Sequence, residues 1–160
     1  MRPVSEKGAH ESRKPNLVEF SLAFWPVVLM TLNGSLSADD VDEMSKGFDE
    51  AFGRKSTHVN IIDARGVHDR PDALVRKKMA ELVARTGEES KRWSRGTVIV
   101  VNNALLRSAI TAIHWIAPAS VPVVAAANIE EAVKQCATWL QTNNVSFSSE
   151  LLLRLKQHAR

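Results

Sequence analysis

Asp63 and Arg65 stand two residues apart at the end of the stretch His58 to Gly66, HVNIIDARG, and are the first side chains in this sequence able to bind or orient a ligand together. Val59, Ile61 and Ile62 suit a strand buried on both faces. Asp63 to Gly66 break it where an open parallel sheet places its ligand crevice, outside the carboxyl end of a central strand. A carboxylate and a guanidinium at such a break also satisfy turn backbone groups or pair with each other, which is the commoner arrangement. A second set is Arg107, Thr111 and His114, spaced i, i+4, i+7 and therefore on one helix face. The arginine of such a stripe can hold a carboxylate, a phosphate or a lipid head group through two hydrogen bonds. The same spacing also describes the solvent side of a core helix. Trp93, Trp115 and Trp139 read as packing residues, and Trp115 beside His114 would also suit a pocket wall.

Other chemistry is not recognisable. There is no glycine-rich phosphate loop, no nucleophile elbow and no zinc-ligand spacing. His10, His58, His68, His114 and His158 are scattered without a partner at ligand spacing, so neither a metal nor a cofactor is expected. An enzyme using Asp63 or His114 as acid or base would lack a second group, and the expectation is a protein that is not an enzyme. The single cysteine, Cys136, cannot form an internal disulfide and falls on the apolar side of a helix, which reads as an inert core residue of a reduced, cytoplasmic protein.

Length and composition set the frame for these groups. The 160 residues, 44% hydrophobic and 24% charged, match one ordinary globular domain and exclude a wholly disordered chain or a coiled coil. No apolar run approaches the roughly 20 residues of a transmembrane helix, and Met1 to His10 lacks the apolar run of a signal peptide. The net charge of +3 is concentrated near the two ends, at Arg2, Lys7, Arg13 and Lys14 and again at Arg154, Lys156 and Arg160, with no aromatic interleaving. Nucleic-acid binding is therefore not expected.

The elements that position the candidate groups follow from periodicity. Residues 1–16 read as a flexible leader. Val18, Phe20, Leu22 and Phe24 alternate as a strand, and Val27 to Leu32 forms a second, antiparallel one after the Trp25-Pro26 interruption. Ser37, with Asp40 three residues on, caps a first helix whose stripe is Val41, Met44, Phe48, Ala51 and Phe52, and whose acidic start, Asp39 to Glu43, complements the helix dipole. After the His58 to Asp63 strand, Asp69 and Pro71 are placed to open a second helix, with Glu88 to Trp93 as a short continuation past Gly87. Thr97 to Val101 is the next strand, and Asn102 or Asn103 caps a third helix that is apolar nearly all round from Leu105 to Ile116, so something must cover it. Val121 to Ala126 is the last strand, and Asn128 with Glu131 opens a fourth helix striped by Ala132, Val133, Cys136 and Leu140. Residues 142–160 form a linker and a short basic amphipathic helix, whose Leu151, Leu152 and Leu155 must dock on something.

This order predicts an α/β domain over residues 17–141, a mixed, mostly parallel sheet of about five strands with four covering helices. The order of elements, with IIDARGV (Ile61 to Val67), the lone Arg107 opening an apolar helix that ends in His114, Trp115 and Ile116, then VPVV (Val121 to Val124) and EEAVKQCATWL (Glu130 to Leu140), resembles the SpoIIAA-like, STAS/SEC14-type small bacterial proteins. The resemblance implies a domain used for binding and not for catalysis. In the anti-sigma-factor antagonists of that group a serine just after the central strand is phosphorylated. Here His68, Asp69, Arg70, Pro71 and Asp72 offer no hydroxyl at that place. The functional expectation is a regulatory or interaction module that binds a protein partner, or itself, through the apolar third helix. The alternative is a carrier or sensor of a small apolar or lipid-like ligand with that helix as lid, peripheral membrane contact being a variant. Asp63, Arg65, Arg107, Thr111, His114 and Trp115 are the candidate binding residues.

Overall fold

The alternating segment at the start of the domain folds as a hairpin. In the computed structural model, which describes residues 17–160, β1 (Val18–Ser21) pairs antiparallel with β2 (Val27–Gly34), setting Val18 opposite Leu32 and Ser21 opposite Leu29. The leader expected over residues 1–16 lies outside the described residues. β1 is shorter than its alternation predicts. Trp25 N–H donates to the Leu22 carbonyl (3.2 Å) and Val27 N–H to that of Phe24 (2.9 Å), and the turn so made swings Phe24 away from the face occupied by Phe20 into the core on the other side of the sheet.

β3 (His58–Val67), β4 (Ser94–Val100) and β5 (Val123–Ala126) add in parallel, giving the sheet order β1-β2-β3-β4-β5. Ile61 lies beside Leu29 and Val98, and Val98 beside Val124. β4 begins earlier than expected and β5 later. Right-handed crossovers between strands laid down in one direction place the connecting helices on one face. Accordingly α1 (Ala38–Gly53), α2 (Ala73–Arg85) and α4 (Ala104–Ile116) bury Val41, Met44, Val75, Leu82 and Leu106 with Met30 and Leu32. α5 (Ile129–Thr142) follows the last strand, is not a crossover, and takes the opposite face, with Ala132, Val133, Cys136 and Leu140 against Val59, Ile61, Val98 and Val100. Gly96 permits this contact, since a Cβ there would come 2.6 Å from the Trp139 ring. Burial in this layer pushes the Cys136 thiol up to about 12.

Among the described residues there are six helices: the four expected to cover the sheet, the short continuation past Gly87 and the C-terminal helix. The continuation past Gly87 is a separate helix, α3 (Gly87–Trp93), set off from α2 at Thr86, whose hydroxyl donates to the Leu82 carbonyl (2.8 Å). The C-terminal helix, α6 (Ser149–His158), docks on its own domain: Leu155 is fully buried, and Leu151 and Leu152 pack on the same core layer as α5. α1 keeps its expected cap, with Ser37 N–H donating to the Asp40 carboxylate at 2.7 Å. α2 departs from expectation. Asp72 accepts from Val75 N–H (2.9 Å) and is the cap, Pro71 precedes the helix, and Asp69 accepts from the Ser35 hydroxyl instead.

Candidate functional site

At the carboxyl end of β3, Arg65 folds back on Asp63 through two hydrogen bonds, Nε to Oδ1 at 2.9 Å and a terminal nitrogen to Oδ2 at 2.8 Å. These bonds raise the Arg65 pKa above its ordinary value. The same terminal nitrogen donates to the Ala159 carbonyl at 2.7 Å. Ala159 is the C-cap residue of α6, where unpaired carbonyls carry the negative end of the helix dipole. The pair therefore clamps α6 across the sheet edge. It borders a polar cleft, shared with Glu19, Thr31, Asn102 and Arg160, but both members spend their best hydrogen bonds on each other and on the backbone.

The main apolar space lies under α4. Leu106, Ala109 and Ile113 point inward, and between them, α1, α2 and the sheet is a cavity of about 160 Å³. Met44 and Phe48 of α1, Ile62 and Ile99 of the sheet, and Met79 and Val83 of α2 supply much of its wall. The inward spacing follows from helix geometry, since residues three, four and seven apart share a face. Apolar groups on α1, α2 and α4 therefore converge over Ile62 and Ile99 of the sheet.

The polar stripe on α4 is on its flank. Arg107, Thr111 and His114 line a second groove, of about 230 Å³, against Val123, Val124 and Ala125 of the edge strand β5. Arg107 and Thr111 are exposed; His114 is half-buried, also borders the cavity, and has its pKa pushed down by burial. Trp115 belongs to neither space. It is 85% exposed, so the expectation of a packing residue or pocket wall is corrected. It follows the inward Ile113 by two residues, about 200° round the helix, which points it outward. Leu105 and Ile116 are likewise exposed, and the outer side of α4 is uncovered among the described residues.

One buried group was not singled out by sequence. His58 is fully buried, its ring centroid 5.2 Å from that of Trp25 and 6.0 Å from that of Phe52. Nδ1 lies 3.0 Å from the Ser56 carbonyl, and Nε2 has no partner among the described residues. Burial pushes its pKa down, and nearby Arg95 adds to this. A histidine alternating with Val59 and Ile61 in a buried strand carries no spacing signal of its own. Among the described residues no three His, Cys, Asp or Glu side chains gather where they could hold a metal ion, and no helix is long and apolar enough to cross a membrane.

Compared by sequence, the chain matches no family model and no curated protein. Compared by structure, it is similar to an uncharacterised protein of the DUF3478 family with a SpoIIAA-like fold from Shewanella loihica PV-4. The two share 15% identity over 74% of this chain and 91% of that one, with a TM-score of 0.53. The fold is thus SpoIIAA-like, as the order of its elements implied.

Proposed function

We propose that this SpoIIAA-like domain is a non-catalytic binding module that holds a small apolar molecule between α4 and the sheet, with α4 as the lid. The observation that carries the reading is the cavity. This partly open space of about 160 Å³ is walled almost wholly by apolar side chains, and close-packed interiors seldom leave so large a gap between layers. Its size is close to that of cavities of about 150 Å³ that take up benzene. α4 is joined to the sheet by loops at its two ends and packs chiefly against α2, where Ile113 meets Met79, Ala80 and Val83, so the space between it and the sheet is left for an occupant. Native mass spectrometry of freshly purified protein, followed by titration with toluene, tests the reading. An added mass or a saturable rise in Tm is expected; failure of both refutes it.

A second reading is favoured by the outer side of α4, where Leu105 is 62%, Trp115 85% and Ile116 65% exposed. These side chains suit contact with a second copy of the chain. Sedimentation equilibrium at rising concentration should show a dimer that Trp115→Ala weakens. A strict monomer would eliminate it.

A further inference from the structure

The cavity under α4 has polar side chains at one end only. We propose that its occupant is a neutral hydroxylated molecule, a small phenol or alcohol, with its hydrocarbon body under α4 and its hydroxyl at the amino edge of the sheet among Ser90, Thr97, His114 and Ser120. This rests on the reading that the cavity binds a small molecule, and it names the kind.

The placement follows from topology. α2 and α4 both run back from the carboxyl edge to the amino edge, so Thr86 at the end of α2, Ser90 in α3 and His114 in the last turn of α4 arrive at the amino edge. Thr97 stands near the start of β4 and Ser120 just before β5, at that same edge. All five border the cavity. The loop carrying Ser120 closes down on α3, where a Cβ on Gly87 would come 2.8 Å from the Ser120 hydroxyl oxygen.

The hydrogen-bonding capacity of this end is largely unspent. Thr86 uses its proton on the Leu82 carbonyl. Thr97 accepts from the Asn60 amide at 3.3 Å, which leaves its own proton to donate. The side chains of Ser90, His114 and Ser120 have no partner among the described residues. A hydroxyl entering here meets both donors and acceptors, which a hydroxyl needs to recover what it loses on leaving water.

Charge decides the rest. No Asp, Glu, Lys or Arg borders the cavity, so a carboxylate inside would have no cation to compensate its desolvation. Burial keeps His114 neutral at pH 7, with one nitrogen to donate and one to accept. The volume admits a body of about six to eight carbon atoms, by comparison with cavities that hold benzene.

Calorimetric titration of the full chain with p-cresol, toluene and benzoate tests the proposal. An all-apolar cavity of this size would reject the phenol relative to toluene by about tenfold or more, because the hydroxyl loses its water unreplaced. Here p-cresol is expected to bind at least as tightly as toluene, and benzoate about tenfold more weakly than p-cresol. The double variant Thr97→Val, Ser120→Ala should weaken p-cresol by about tenfold and leave toluene within about twofold. Toluene binding about tenfold tighter than p-cresol, or benzoate binding as well as p-cresol, would overturn the hydroxyl site while leaving the cavity reading intact. Failure of all three to bind would overturn the cavity reading itself. Should the double variant not fold, the order of the three ligands on the unaltered chain decides alone.

Discussion

Ala109 offers the sharpest test of the space beneath α4. It is fully buried, lines the cavity and stands midway along the helix, so Ala109→Leu pushes three carbon atoms into the void without disturbing either loop. Three carbons fill about half of a space that accepts a benzene-sized body of about six. Were the space fully enclosed, roughly 24 cal/mol per Å³ over 160 Å³ would come to about 4 kcal/mol; because it is partly open, filling half of it should stabilise the domain by at most about 2 kcal/mol. For a chain of this length that is a rise in Tm of about 4–8 °C. The same substitution should abolish the toluene-dependent rise in Tm, since the remaining space is too small. Differential scanning calorimetry of both forms, with and without toluene, measures both effects. Overpacking of a filled core costs about 1–3 kcal/mol instead, so the sign of the change is diagnostic. A Tm lower by several degrees would show that no void adjoins residue 109 and would refute the reasoning.

Three further outcomes follow from the same packing. His58 is buried neutral, with its pKa below that of the unfolded chain, so below about pH 6.5 the unfolded state takes up a proton that the folded state refuses, and stability falls with pH until the folded group also titrates. Urea midpoints between pH 5 and 8 should show this fall, and His58→Phe should flatten it; an unchanged slope in the variant would assign the fall elsewhere. Arg65→Met should cost about 1–3 kcal/mol, because it leaves the Asp63 carboxylate and the Ala159 carbonyl without their donor, and it should raise amide exchange across Ser149–His158. Exchange unchanged in α6 would mean that the clamp is idle. Leu155→Ala should cost about 2–5 kcal/mol in chemical denaturation, and a loss under about 1 kcal/mol would show that α6 is not part of the core.

Much of this architecture was legible wherever the signal is local. Ser37, Asn103 and Asn128 stand where helices begin because a side-chain oxygen or carboxylate partner is needed within a few residues of each start. The β-branched runs at Val59 and Val98 and the helical stripes of α1 and α5 read correctly because their periods are those of the backbone itself. The errors lie where two local signals compete. Asp69 and Asp72 are equally good caps in isolation, and the choice fell to Asp72 once Ser35, from another loop, engaged Asp69. Trp115 was misjudged by its bulk, although its angle from Ile113 already turned it outward.

Residue types and spacings by themselves determined the layered α/β class, the parallel order of the later strands and an unusually apolar α4, since each depends on hydrophobic burial along a short repeat. The tertiary structure alone decided what those parts enclose. Arg65 meets the Ala159 carbonyl across 94 residues of sequence, and the cavity draws its wall from four helices, the sheet and the loop before β5. Such contacts arise from how layers settle against one another, and a void is set by atoms that fail to meet, which no periodicity in a chain records.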